Sequence, residues 1–147
     1  MARQNTQLES AGAEFLVLGN LLIEGIQTYK SYTNHPGYDL ISTNPKTKKV
    51  CRIQVKSRWA TDYDRGFPIK NLECDFVVFT ALNRGYRYRK KQGKNDGRKG
   101  PDYFVLPIHV VKKARKKNST WGKVFLHDIP NCEYYLGNWN TIKKSLQ

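Results

Sequence analysis

The stretch Gly37-Tyr38-Asp39-Leu40-Ile41-Ser42-Thr43-Asn44-Pro45-Lys46-Thr47-Lys48-Lys49-Val50-Cys51-Arg52-Ile53-Gln54-Val55-Lys56-Ser57-Arg58 decides how this chain is read. Asn44 to Lys48 is a turn by composition, because proline fixes φ and asparagine bonds its own backbone. It separates a short strand, Tyr38 to Ser42, from the cleanest strand of the chain, Val50 to Ser57, and the pair reads as a hairpin. In the second strand Ile53 and Val55 face one way, while Arg52, Gln54, Lys56 and Arg58 face the other. Four polar groups on one face suit the edge of a soluble sheet; they also suit a working surface. Asp39 lies on the partner strand, fifteen residues before Gln54, where a hairpin lets the two side chains converge.

Upstream, residues 6 to 25 carry apolar positions at helical spacing, with Gly25 as a stop. Glu14 sits inside the apolar run Ala11-Gly-Ala-Glu-Phe-Leu-Val-Leu-Gly19, where a carboxylate is costly to bury alone. Either it lies on the solvent stripe of the helix or it faces a cation. The small residues Ala11, Gly12 and Ala13 favour a close approach to a sheet and hence the second option. Glu24, at another azimuth, reads as a surface residue.

Ile26 to Tyr32 is rich in strand formers, and Trp59 to Asn71 shows no pattern. Asp75 to Leu82 reads as a buried strand, and Asp102 to Pro107 as a strand ended by proline. A short basic helix from Ile108 to Lys117, a strand from Gly122 to Leu126 and a C-terminal helix around Trp139 to Leu146 complete the pattern. Without repeats or a linker, residues 1–147 are expected to form one mixed α/β (α+β) domain, a sheet flanked by helices.

The 147 residues hold 26 Lys plus Arg against 12 Asp plus Glu, a net charge of +14. A chain this basic suits a polyanion. Between Arg84 and Lys117 there are 13 basic residues and two acids, so most of the imbalance is one patch. Such a run is either a solvated face or a phosphate-binding surface. Tyr86 and Tyr88, interleaved with Arg87 and Arg89, favour nucleic acid, since aromatics stack on bases while guanidinium groups hold phosphates. No apolar run is long enough for a membrane span, and the first residues lack a signal peptide's apolar stretch; a cytoplasmic protein is expected. Cys51, Cys74 and Cys132 are never spaced C-x-x-C and read as reduced structural thiols. His35, His109 and His127 show no metal-ligand spacing, and no phosphate loop is present. Asp75 reads as structural.

Asp39, Gln54 and Glu14 offer hard oxygen ligands suited to Mg²⁺ or Mn²⁺. Lys56 lies on the face of Gln54. A metal that polarises a phosphoryl oxygen and a lysine that orients water are the equipment for phosphodiester hydrolysis. Asp39 followed by Gln54-Val55-Lys56 and preceded by a helix bearing Glu14 resembles the signature of the PD-(D/E)XK, or restriction-endonuclease-like, nucleases. Tyr38-Asp-Leu40, Arg52-Ile-Gln-Val-Lys-Ser57, Cys74-Asp-Phe-Val-Val78 and Pro101-Asp-Tyr-Phe-Val-Leu-Pro107 are similar to the branch of group I intron-associated homing endonucleases.

The resemblance implies a central mixed sheet with flanking helices, Mg²⁺-dependent cleavage of double-stranded DNA, and a homodimer or homotetramer. It implies Asp39 as principal metal ligand, Gln54 where most members have an acid, the Val55 carbonyl completing the coordination, Lys56 as catalytic lysine and Glu14 as the helix acid. Two positions depart from the common pattern, the neutral Gln54 and Tyr38 in place of proline. Arg52 and Arg58 are placed to hold the scissile strand. Arg84, Arg87, Arg89, Lys90, Lys91, Lys94, Arg98 and Lys99 in the loop, with Lys112, Lys113, Arg115 and Lys116 in the helix, are placed to hold DNA. Two other readings stay open, a DNA-binding protein with a decayed nuclease site and a Holliday junction resolvase.

Overall fold

The computed structural model describes residues 5–31, 37–62, 66–87, 95–115 and 122–147. Helix α1, Thr6–Ile23, begins where the Asn5 side chain accepts the Gln7 backbone N–H at 2.8 Å. It is followed by Gly25, whose φ of 81° turns the chain into the first strand. The strands are β1 (Gln27–Lys30), β2 (Leu40–Thr43), β3 (Val50–Arg58), β4 (Gly66–Pro68), β5 (Phe76–Ala81), β6 (Asp102–Pro107) and β7 (Lys123–Phe125). Helix α2, Ile108–Ala114, follows β6 directly, and α3, Asn140–Ser145, follows two 3-10 turns at Leu126–Asp128 and Cys132–Tyr135.

Five strands form one sheet in the order β1-β2-β3-β5-β6. β2 and β3 are the expected antiparallel hairpin, with Leu40 opposite Ile53. β3 and β5 run parallel, with Gln54 opposite Val77 and Arg58 opposite Ala81. Asp75 fixes that pairing. Its carboxylate accepts the Arg52 backbone N–H at 2.7 Å and stands 3.5 Å from the Arg52 guanidinium.

One face is covered by α1 and α3. Val17, Leu21, Trp139, Ile142 and Leu146 pack there with Leu40, Ile53, Val78 and Val105. The other face of β5 and β6 is covered by α2 and the β4–β7 pair, where Phe67, Val111 and Val124 pack with Val77, Phe79 and Leu106. Enclosed on both faces, β5 has all six residues buried, as its unbroken apolar run requires. The fold class is the expected one.

Three details differ from the sequence reading. Gly12 is exposed, with nothing within 4 Å of where a Cβ would stand, so of the three small residues it is Ala13 that is fully buried in the core. The basic helix stops at Ala114, because Arg115 becomes extended and sends its Nε to the Ile69 carbonyl at 3.0 Å. The unpatterned stretch after Trp59 contains β4, which pairs antiparallel with the distant β7.

Candidate active site at a fork in the sheet

β2 begins at Leu40, whereas β3 runs on to Arg58. Beyond Ile53, β3 therefore loses β2 as a neighbour, and backbone groups left without a ladder partner must find another. Asp39 supplies one: its Oδ2 accepts the Val55 N–H at 2.8 Å. The main chain at Asp39 is itself tied to both adjacent strands, donating to the Ile53 carbonyl at 2.8 Å and accepting from Ser31 N–H at 2.9 Å. The carboxylate is thus locked in the crotch between two strands, level with the backbone between Gln54 and Lys56.

Glu14 comes to this point from the α1 side. It is hydrogen-bonded to the Asp39 side chain, and its pKa is raised to about 7 by burial first, then by the Asp39 charge and that hydrogen bond. Lys30 Nζ stands 3.9 Å from Glu14 and opposes the rise. Sequence reasoning missed Lys30. The signal was there, since alternation along β1 puts it on the face of buried Thr28, turned toward α1, where its ammonium lies 4.3 Å from the Phe15 ring centre.

Lys56 comes from the opposite side of the sheet. Burial lowers its pKa below that of a free lysine, with Asp39 pulling the other way and Arg58 adding to the drop. Gln54, alternating onto the same face as Lys56, has its Oε1 buried with no hydrogen-bond partner. An orphaned buried acceptor costs about 1–3 kcal/mol and calls for an explanation. The donor types suit a divalent cation: Glu14 and Asp39 meet at the fork and Gln54 stands on the strand beside it, and carboxylate and amide oxygens are the hard donors that Mg²⁺ and Mn²⁺ take. Among the described residues no three His, Cys, Asp or Glu side chains gather as a metal cluster.

The remaining candidates are spread more widely. Arg52 is half-exposed, paired to Asp75 and 6.0 Å from the Tyr38 ring centre. Arg58 Nε donates to the Gly66 carbonyl at 2.6 Å, which joins β3 to β4. Arg115 is likewise engaged with a carbonyl and packed over Gly122. Arg84, Arg87, Arg98, Lys99, Lys112 and Lys113 are exposed. Arg84 and Arg98 pair across the base of the basic loop. There Thr61 Oγ1 takes the Gly85 N–H at 3.1 Å and gives to the Gly97 carbonyl at 2.7 Å, and Asp62 holds the Arg87 N–H at 2.8 Å. Because β3 and β5 are parallel, this base adjoins the end of β3 that carries Lys56 and Arg58. Arg89, Lys90, Lys91, Lys94 and Lys116 lie outside the described residues, as do His35, Tyr88 and Trp121.

Burial pushes the Cys51 thiol to about 12 and the Cys74 thiol to about 11, and none of the three cysteines is in a disulfide. Among the described residues no helix is long and apolar enough to cross a membrane.

No family model matches the chain, and no curated protein sequence matches it. Solved structures do. The bacterial homing endonuclease I-Ssp6803I superimposes with a TM-score of 0.60, covering 97% of this chain and 94% of that one at 16% identity. Hjc of Archaeoglobus fulgidus, a Holliday junction resolvase from an archaeal hyperthermophile, superimposes with a TM-score of 0.50, covering 83% and 88% at 14% identity. What this chain shares with both is the restriction-endonuclease-like fold that its sequence resembles.

Proposed function

We propose that this chain is a Mg²⁺-dependent endonuclease that hydrolyses phosphodiester bonds of double-stranded DNA, of the homing type, and works as a homodimer or homotetramer. The observation that carries the reading is the buried, unpartnered Gln54 Oε1 on the strand whose next N–H is held by Asp39. Asp39, Glu14, Gln54 Oε1 and the Val55 carbonyl would hold the ion. When bound, it polarises a phosphoryl oxygen and lowers the pKa of water.

The chain's own groups do the rest. Asp39 is held by the Val55 N–H and needs no reorganisation before reaction, which is what preorganised electrostatics requires. Lys56, half-buried and facing the same fork, orients the attacking water and stabilises charge growing on the phosphate. Arg52 flanks the strand, and the exposed Arg84, Arg87, Arg98, Lys99, Lys112 and Lys113 hold the DNA backbone. One such site cuts one strand, so a double-strand break requires at least two copies.

A supercoiled plasmid tests this. Nicking and linearisation with Mg²⁺ or Mn²⁺, abolished by EDTA and by Lys56→Ala, is the expected result. Binding without nicking, indifferent to Lys56→Ala, leaves a DNA-binding protein with a decayed site. The likeness to a resolvase fold makes a four-way junction the comparison substrate: preference for the junction over linear duplex of any sequence replaces the homing reading.

A further inference from the structure

Helix α1 is apolar on two opposite faces. Ala13, Val17 and Leu21 are buried against the sheet. On the far side Leu8, Phe15, Leu16, Leu22 and Ile23 are 64%, 55%, 41%, 51% and 85% exposed. Leu8, Phe15 and Leu22 recur at the same azimuth, every second turn, with Gly12 and Gly19 beside them. The space above both glycines is open to at least 4 Å. A helix that is hydrophobic all round is ordinarily covered all round, and here the outer half stays largely exposed in the described chain, with Lys30 lying over the Phe15 ring at its margin.

We propose that this outer stripe docks on the same stripe of a second copy of the chain across a two-fold axis. Area and charge select that occupant. The five side chains expose on the order of 600 Å² of apolar surface, against the roughly 800 Å² that each partner buries in a standard interface and the few hundred that a monomer commonly shows. Between Asn5 and Tyr29 there is no lysine or arginine, in a chain whose net charge is +14. Two copies of so basic a protein repel over most approaches, and α1 is the long neutral-to-acidic surface through which they can meet. The same absence argues against the other occupants of an apolar helix face. DNA and anionic lipid surfaces are both held by basic side chains, which interfacial helices carry on their polar flank.

The proposal deepens the homo-oligomer within the proposed function, and rests on that reading only there; the surface itself is argued without reference to catalysis. An isologous contact through α1 places Phe15, next to Glu14, at one edge of the interface, so assembly and the fork share a helix.

The test is sedimentation velocity of the full chain, free of DNA and metal, at about 0.5 M salt to screen charge contacts. A concentration-dependent dimer is expected. Leu22→Arg, and separately Gly19→Lys, should raise its dissociation constant at least tenfold while leaving the far-UV circular dichroism and thermal midpoint in place. Gly19→Lys guards against a folding artefact, since its new side chain has room in the monomer. Tyr134→Gln, equally exposed but distant in the fold, should change nothing. A wild-type monomer at every concentration, a dimer indifferent to both α1 variants, or co-sedimentation with phosphatidylserine vesicles that Leu22→Arg abolishes would each overturn the proposal. If the dimer behaves as expected while plasmid stays intact, the surface stands and the nuclease reading falls; a monomer that nicks plasmid does the reverse.

Discussion

At the β2–β3 fork, charge is drawn out of water: Glu14, Asp39 and Lys56 are partly buried together, one acid leaning on the other and the amine depressed by its surroundings. In the described residues after β5 charge is left in water, with Arg84, Arg98 and Lys99 exposed at a loop base that hydrogen bonds fix. Burial makes each group at the fork sensitive to its neighbours and gives it chemical leverage. Exposure makes each group after β5 nearly interchangeable, with many weak attractions adding to a pull that salt screens. The fork should therefore fail by single substitutions, and the basic segment only by several.

The strongest way to break that contrast is at the fork. Asp39→Asn or Lys56→Ala should lower the cleavage rate by about 10²–10⁴-fold with DNA affinity within about threefold of wild type, checked by single-turnover cleavage beside a binding titration. A loss of affinity equal to the loss of rate would mean that the fork only binds.

A second effect follows from Glu14. Its folded pKa of about 7 lies above the ordinary 4.5, so the folded state favours the protonated acid. That contribution is present below pH 4.5 and is lost as pH rises through 7. Glu14→Gln, which cannot ionise, should stabilise the EDTA-treated protein at pH 8 by on the order of 1–2 kcal/mol, less than the full ~1.4 kcal/mol per pKa unit because solvent still reaches and screens the carboxylate. At pH 4 it should do almost nothing. Urea melts at the two pH values decide; equal effects at both would remove the buried-acid account.

Third, Thr61→Val deletes the hydroxyl that bridges Gly85 and Gly97. It should cost about 1–2 kcal/mol, with hydrogen exchange quickening at the loop base and spared at β5. Smallest is the patch: Lys112→Ala with Lys113→Ala should weaken DNA binding by about 3–10-fold at every sequence and flatten the salt slope by about 0.9 for each phosphate no longer neutralised. An unchanged slope would take α2 out of the interface.

Much of the fold is legible in the residues. The alternation of Arg52 to Arg58, the turn at Asn44 to Lys48 and the unbroken apolar run after Asp75 lead to β3, its hairpin and the buried central strand, because those signals are local. The fork is only half legible. Spacing brings Asp39 opposite Gln54, but its hold on the Val55 N–H depends on where one strand begins relative to its neighbour, a matter of a single residue. β7 falls within the strand expected from Gly122 to Leu126, but β4 leaves no trace, as a three-residue strand carries no periodicity and its partner is remote. That Arg58 and Arg115 send their Nε atoms to the Gly66 and Ile69 carbonyls is also beyond the sequence, which shows that a guanidinium is present and not which carbonyl it meets.

The turn of the hairpin has a consequence of its own. Asn44 Nδ2 and Thr47 Oγ1 both donate to the Leu146 carbonyl, at 2.9 and 2.6 Å, joining positions 102 and 99 residues apart. During synthesis, at about 5–20 residues per second, the hairpin that carries Asp39 and Gln54 is made early and waits roughly 5–20 s for this clamp. A nascent chain would thus carry the turn end of this hairpin undocked until the segment around residue 146 emerges, while the fork at its other end is already tied by its own short-range hydrogen bonds.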